Sequence, residues 1–118
     1  MGIQLKRAYD PPADADGYRV LVDRVWPRGL SRDALKLDLW LKEAAPSTAL
    51  RKWFAHDPDR WDEFRRRYFQ ELDDHAHEVK ILEDKMHAGS VTIVFASKEQ
   101  RFNNAVALKE YLEHRRSR

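Results

Sequence analysis

The hydrophobic pattern changes period several times along the chain, and each change predicts an element. Residues 3–8 alternate, apolar at Ile3 and Leu5 and polar at Gln4 and Lys6, as in an edge or half-exposed strand. Residues 10–17, Asp-Pro-Pro-Ala-Asp-Ala-Asp-Gly, form a turn-rich connector with paired prolines and a closing glycine. Val20, Leu21 and Val22 are a continuous aliphatic run, the mark of a strand covered on both faces. That run opens at once into a polar segment carrying Asp23, Arg24, Trp26, Pro27, Arg28 and Gly29. Pro27 lacks a backbone donor and Gly29 tolerates positive φ, so the chain turns there.

Ser31 suits the cap of a short helical segment with Asp33 in its first turn. Leu35, Leu37, Leu39 and Leu41 then alternate with Lys36, Asp38, Trp40 and Lys42. A period of two predicts a strand over 36–42, with a helix as the alternative. Ser47, after Pro46, suits the cap of a helix carrying Leu50, Trp53 and Phe54. Asp57 followed by Pro58 is the clearest helix start, and Trp61, Phe64, Tyr68 and Leu72 form one apolar stripe beyond it. Asp73 and Asp74 sit badly at a helix C-terminus and suit the cap of another helix through Val79, Leu82 and Met86 to Gly89. Two helices over 58–88 are therefore expected. Residues 91–96, Val-Thr-Ile-Val-Phe-Ala, read as a second buried strand, and Asn103 or Asn104 caps a last helix that buries Val106, Leu108 and Leu112.

Two fully buried strands need a layer on each face. The fold expected is a single α/β domain over 1–118. Its architecture is a three-layer sandwich, with a small, mostly parallel four-stranded sheet and helices on both faces.

Composition then narrows the function classes. A chain of 118 residues with 42% hydrophobic content builds a core without staples. No apolar run approaches the roughly 20 residues of a membrane-spanning helix, so no membrane partner is expected. No secretory signal pattern is present, and with no cysteine there is no disulfide, thiolate catalysis or cysteine-ligated zinc. A soluble cytoplasmic protein is the expectation. The net charge is +2, from 22 basic and 20 acidic residues, too small an excess to point to nucleic acid. Locally basic stretches occur only at Arg65, Arg66 and Arg67 and at the tail, Arg115, Arg116, Ser117 and Arg118.

The candidate chemistry comes from placing the two polar turns together. In an open parallel sheet, ligands collect beyond the carboxyl ends of the strands. If the two buried strands are parallel neighbours, Asp23, Arg24, Trp26 and Arg28 meet Ser97, Lys98, Asn103 and Asn104 around one crevice. The N-terminus of the last helix adds unpaired N–H groups there, and guanidinium groups grip phosphate or carboxylate with two donors. In this reading Arg24 and Arg28 hold the anion of a nucleotide or phosphorylated metabolite, and Asp23 orients an arginine or a ligand hydroxyl. Ion pairing or capping within the fold is the competing account of each residue taken singly.

Other motifs carry less. Trp53 and Trp61 lie at helical spacing and read as core, whereas Trp26 sits in a charged turn and Trp40 on the polar face of its strand. His75 and His77 lie on different faces of a helix, which spoils shared metal ligation, and no metal site is expected. No P-loop, GxGxxG or HExxH is present, so no cofactor is expected either. Asp57 beside His56 is explained as a helix cap, and no nucleophile–base pair is legible. Two other readings stand beside the small-ligand site. One is a nucleic-acid module using Arg65, Arg66, Arg67 and the basic tail, with Trp26 stacking. The other is a structural interaction protein that pairs through Trp40.

Three stretches are distinctive: 20–31 (Val-Leu-Val-Asp-Arg-Val-Trp-Pro-Arg-Gly-Leu-Ser), 40–47 (Trp-Leu-Lys-Glu-Ala-Ala-Pro-Ser) and 53–58 (Trp-Phe-Ala-His-Asp-Pro). They closely resemble the YeaO-like branch of a large bacterial family known as domain of unknown function 488. The resemblance runs on through 64–68 (Phe-Arg-Arg-Arg-Tyr) to 107–112 (Ala-Leu-Lys-Glu-Tyr-Leu). It implies a compact cytoplasmic α/β domain and no activity. Longer relatives carry a cysteine near the strand end and a Cys-His-Arg run before the last helix. Here Phe95, Ala96 and Ser97, and Asn103, Asn104 and Ala105, occupy those regions, so a thiol mechanism does not carry over. Phe102 stands where the short branch often has a histidine. The family motif overlaps the crevice at Asp23, Arg24, Trp26, Arg28 and Asn104.

Overall fold

A computed structural model describes residues 2–116 of the chain. Met1, Ser117 and Arg118 lie outside the described residues, and with them the end of the basic tail. Four strands, β1 (Ile3–Arg7), β2 (Tyr18–Leu21), β3 (Leu39–Trp40) and β4 (Val91–Phe95), form one sheet in the order β1-β4-β2-β3. Every pairing is parallel, with Ile3 and Tyr18 both in register with Val91, and Val20 with Leu39. Among the described residues five α-helices accompany the sheet: α1 (Arg32–Leu35), α2 (Thr48–Phe54), α3 (Trp61–Asp73), α4 (Ala76–Ala88) and α5 (Asn104–Arg116). This is the expected α/β sandwich with two buried strands side by side, and β1 takes the edge position its alternation implied.

The layers are unequal. Val20, Val22, Val91, Ile93 and Phe95 face one side, where they pack on Leu50 and Phe54 of α2, Phe64, Tyr68 and Leu72 of α3, and the buried faces of α4 and α5. Each side chain fully buried here contributes about 1.5–3 kcal/mol. Leu21 and Val94 face the other side, covered by Leu35 of α1 together with Trp26, Leu30, Leu37 and Trp40. Beneath that thin cover runs a buried polar network. Arg19 donates to Asp16 at 2.7 Å and to the Leu35 carbonyl at 2.8 Å, Lys6 reaches Asp16 at 3.0 Å, and Thr92 donates to the Asp16 carbonyl at 2.7 Å.

The caps follow the sequence closely. Ser31 Oγ accepts from Ala34 N–H, Ser47 Oγ from Leu50 N–H, and the Asp57 carboxylate from Asp59 N–H. Two details differ. The leucine alternation over 36–42 yields only the two-residue β3, because Leu35 ends α1 and Lys36 takes a left-handed conformation (φ 50) that turns the chain. The helices over 58–88 do separate, but His75 occupies the cap of α4, while Asp73 accepts the Tyr111 hydroxyl at 2.6 Å. Among the described residues no helix is long and apolar enough to cross a membrane.

Candidate functional site

Because β2 and β4 are parallel neighbours, their carboxyl ends release the chain on the same edge of the sheet. The segment after β2 turns at Pro27, whose carbonyl accepts Leu30 N–H at 3.5 Å, with Gly29 at φ 83 supplying the left-handed step. The segment after β4 is shaped by Asn103. Its amide donates to the Glu99 carbonyl at 2.7 Å and its oxygen accepts Val106 N–H at 2.9 Å, which makes it the cap of α5. Asn104 does the joining: its amide donates to the Val22 carbonyl at 3.1 Å and to Asp23 Oδ1 at 3.3 Å. Arg7 braces the same corner from β1, donating to the Ser97 carbonyl at 3.0 Å.

Between the two segments lies a cavity of about 560 Å³. Asp23, Arg24, Trp26 and Arg28 line it from the first turn, and Ser97, Asn103 and Asn104 from the second. Lys98 is exposed and is not among the lining residues. The floor is Phe54 and Phe64, continuous with the helical core.

The roles within the crevice differ from residue to residue. Asp23 holds backbone in place: its Oδ2 accepts Ala96 N–H at 2.7 Å. Burial pushes its carboxyl above the ordinary aspartate range, against the pull of the Ala96 N–H, the Asn104 amide and the Arg51 charge. Arg24 reaches the Ala45 and Pro46 carbonyls through Nη2 at 3.4 and 3.5 Å, while its Nε is buried with no hydrogen-bond partner. Trp26 donates to the Leu30 carbonyl at 2.7 Å and packs edge-on to Trp40 at 5.2 Å. Trp40 in turn donates to the Asp23 carbonyl at 2.8 Å, so its indole belongs to the cover of the sheet. The Ser97 hydroxyl accepts Glu99 N–H at 3.1 Å and closes a local turn.

Sequence reasoning missed the third wall. Thr48, Arg51 and Lys52 lie at i, i+3 and i+4, one stripe of α2, and line the cavity together with His56 just beyond the helix. The Ser47 cap and the apolar Leu50, Trp53 and Phe54 already marked that stripe as the opposite face of α2. Only the topology shows that it overlooks the strand ends. Ala55 and His56 both take positive φ, 47 and 58, which swings His56 onto the rim. Arg24, Arg28, Arg51 and Lys52 thus surround the cavity, and among the described residues no carboxylate lies within ion-pair distance of any of them. The single lining carboxylate, Asp23, is engaged by Ala96 and Asn104.

The arginine run on α3 is arranged in the opposite way. Arg65 pairs with Asp62 at 2.9 Å and with Glu110, and Arg66 and Arg67 share Glu63 at 2.5 and 2.7 Å. Arg66 first, then Arg67, hold the Glu63 carboxyl down to about 2. Arg115, at the start of the basic tail, pairs with Glu83 at 3.1 Å. Among the described residues no group of histidines and carboxylates is placed to hold a metal ion.

The family model described as "Inactive DUF488-N3 subclade" matches residues 2–118. The uncharacterised YeaO protein of Escherichia coli is 44% identical over 112 residues, covering 95% of this chain and 97% of its own. An uncharacterised protein of Mycobacterium tuberculosis is 39% identical over 114 residues, covering 96% of this chain and 95% of its own. No solved structure matches the chain. The match along the chain and the level of identity agree, and the chain belongs to the DUF488 family as a YeaO-like member.

Proposed function

We propose that the protein binds an anionic small molecule, a nucleotide or phosphorylated metabolite, in the hollow beyond the carboxyl ends of β2 and β4. One observation carries this reading: Arg24, Arg28, Arg51 and Lys52 converge on a cavity in which no carboxylate pairs with them. An excess of positive charge around a concave site, with Asp23 as the one lining carboxylate, favours an anion, and the N-terminus of the thirteen-residue α5 adds its dipole in the same direction. The volume of about 560 Å³ falls within the usual range for small-molecule sites. The family description "inactive" agrees with a site in which Asp23 and Ser97 are engaged with backbone, and so speaks for binding rather than turnover. This reading carries with it a cytoplasmic location, where phosphorylated metabolites are made.

A nucleic-acid module on α3 has less to rest on, because Arg65, Arg66 and Arg67 are each balanced by a neighbouring carboxylate. The two readings separate in one thermal-shift series with adenosine monophosphate, ribose 5-phosphate and a short oligonucleotide. The small-ligand reading expects a rise in melting temperature with the phosphates that Arg28→Ala reduces. An oligonucleotide response that falls steeply with salt and survives Arg28→Ala would favour the module instead. A pairing role for Trp40 would appear as a dimer in solution that Trp40→Ala dissolves.

A further inference from the structure

We propose that the ligand carries its anionic group on a planar apolar body, an aryl or heteroaryl phosphate rather than a sugar phosphate alone; this rests on the anion-binding reading above. Among the described residues the large apolar side chains left exposed are Tyr9 (44%) and Val25 (63%), and both line the cavity. Scattered exposed apolar residues are ordinary, but their coincidence at one mouth is a patch with a purpose. Half-buried Trp26 and Phe102 complete that mouth.

The rings are also held in place. Arg7 lies over Tyr9 at 5.2 Å, and the Tyr9 hydroxyl donates to the Arg28 carbonyl at 2.8 Å, tying an exposed ring to the arginine-bearing turn. Arg32 lies over Trp26 at 5.6 Å and Arg101 over Phe102 at 5.5 Å. Pre-positioned aromatic edges lower the ordering cost of stacking a flat ligand. The cations line the same hollow, exposed Arg51 and Lys52 from α2 and half-buried Arg24 from the turn after β2. An anionic head among Arg24, Arg28, Arg51 and Lys52, with a ring between Tyr9, Val25 and Phe102, satisfies both halves of the lining at once. A lone phosphate or an aliphatic sugar phosphate would leave the mouth wet.

Calorimetric titration of the full chain with inorganic phosphate, ribose 5-phosphate, phenyl phosphate and adenosine monophosphate tests this. The two ring-bearing compounds are expected to bind about tenfold tighter than ribose 5-phosphate, the scale of one aromatic stack. In Val25→Ser the ratio of ring-bearing to ribose 5-phosphate affinity should fall toward one. Equal affinity for all four phosphates overturns the inference and leaves the anion site standing. Loss of the advantage together with the ribose 5-phosphate affinity also overturns it, because the mouth would then be acting on the anion. Binding of none of the four removes both.

Discussion

The Asp23 carboxylate accepts the backbone N–H of Ala96 at 2.7 Å, across 73 residues of sequence. With Asn104 held against Asp23 and the Val22 carbonyl, this bond pins the end of β2 to the end of β4 and to the head of α5. Asp23 therefore acts by fixing the corner of the cavity, and under the proposed function the arginines beside it meet the ligand.

That placement has a pH signature. Burial raises the Asp23 carboxyl, so the folded chain keeps this proton after the unfolded chain has released it. Its contribution to stability thus falls as pH rises from about 4, the ordinary aspartate value, through the raised folded value, and is flat above. Asp23→Asn removes that slope while its amide oxygen can still accept from Ala96. Urea unfolding of both proteins from about pH 4 to 7 should show wild type losing ground to the variant as pH climbs. Parallel curves would place the titration elsewhere. Asp23→Ala leaves the Ala96 N–H unpartnered and is expected to cost about 1–3 kcal/mol.

Asp16 behaves in the opposite sense. Burial works to raise its carboxyl, but the Ala13 N–H, Lys6 and Arg19 together outweigh burial and lower it. The stability this group supplies is present above about pH 4 and lost as pH falls through the lowered folded value. At neutral pH, Asp16→Ala strands the buried Arg19 guanidinium and is expected to cost about 3 kcal/mol in urea unfolding, a deficit that narrows in acid. A deficit that stays constant with pH would contradict this.

Gly17 sets the register of β2. It sits at φ +65, and a Cβ there would lie 2.4 Å from the Ser90 carbonyl oxygen, the same oxygen that accepts Tyr18 N–H at 3.0 Å. Gly17→Ala meets both a backbone clash and a disfavoured conformation, and should lower stability by more than about 1 kcal/mol. An unchanged unfolding midpoint would mean that the backbone at Ser90 yields to a Cβ at position 17.

Arg51 distinguishes a site from a charged surface. Arg51→Ala should reduce the affinity for adenosine monophosphate about tenfold or more, the scale of a hydrogen bond to a charged group. Arg66→Ala, which removes a charge already paired with Glu63, should leave it unchanged. Equal effects of the two substitutions in a calorimetric titration would mean that only overall charge matters.

Much of this was legible in the residue pattern, and the remainder was not for identifiable reasons. Val20 to Val22 and 91–96 announced buried strands because continuous aliphatic runs occur where both faces are covered. Ser31, Ser47 and Asp57 announced helix starts because short polar side chains satisfy orphan N–H groups. Periodicity found the strand within 36–42 but overestimated its length, because the alternating leucines serve a turn, a two-residue strand and the cover of the sheet in succession. Asn103 and Asn104 could be named but not told apart, since one caps α5 and the other straps it to β2. The α2 wall was hidden for a different reason. Arg51 and Lys52 read as an ordinary solvated helix face until the chain path carries α2 past the strand ends.

The strand order has a consequence for how the molecule comes into being. β4, at residues 91–95, stands between β1 and β2, which never touch as neighbours. Before those five residues leave the ribosome, the only native strand pairing available among the described residues is the two-residue ladder of β2 with β3. Sheet assembly, and with it the hollow at the strand ends, must therefore wait for the last quarter of the chain. A nascent protein halted before β4 would leave the apolar faces of α2, α3 and α4 without the central strand they pack against.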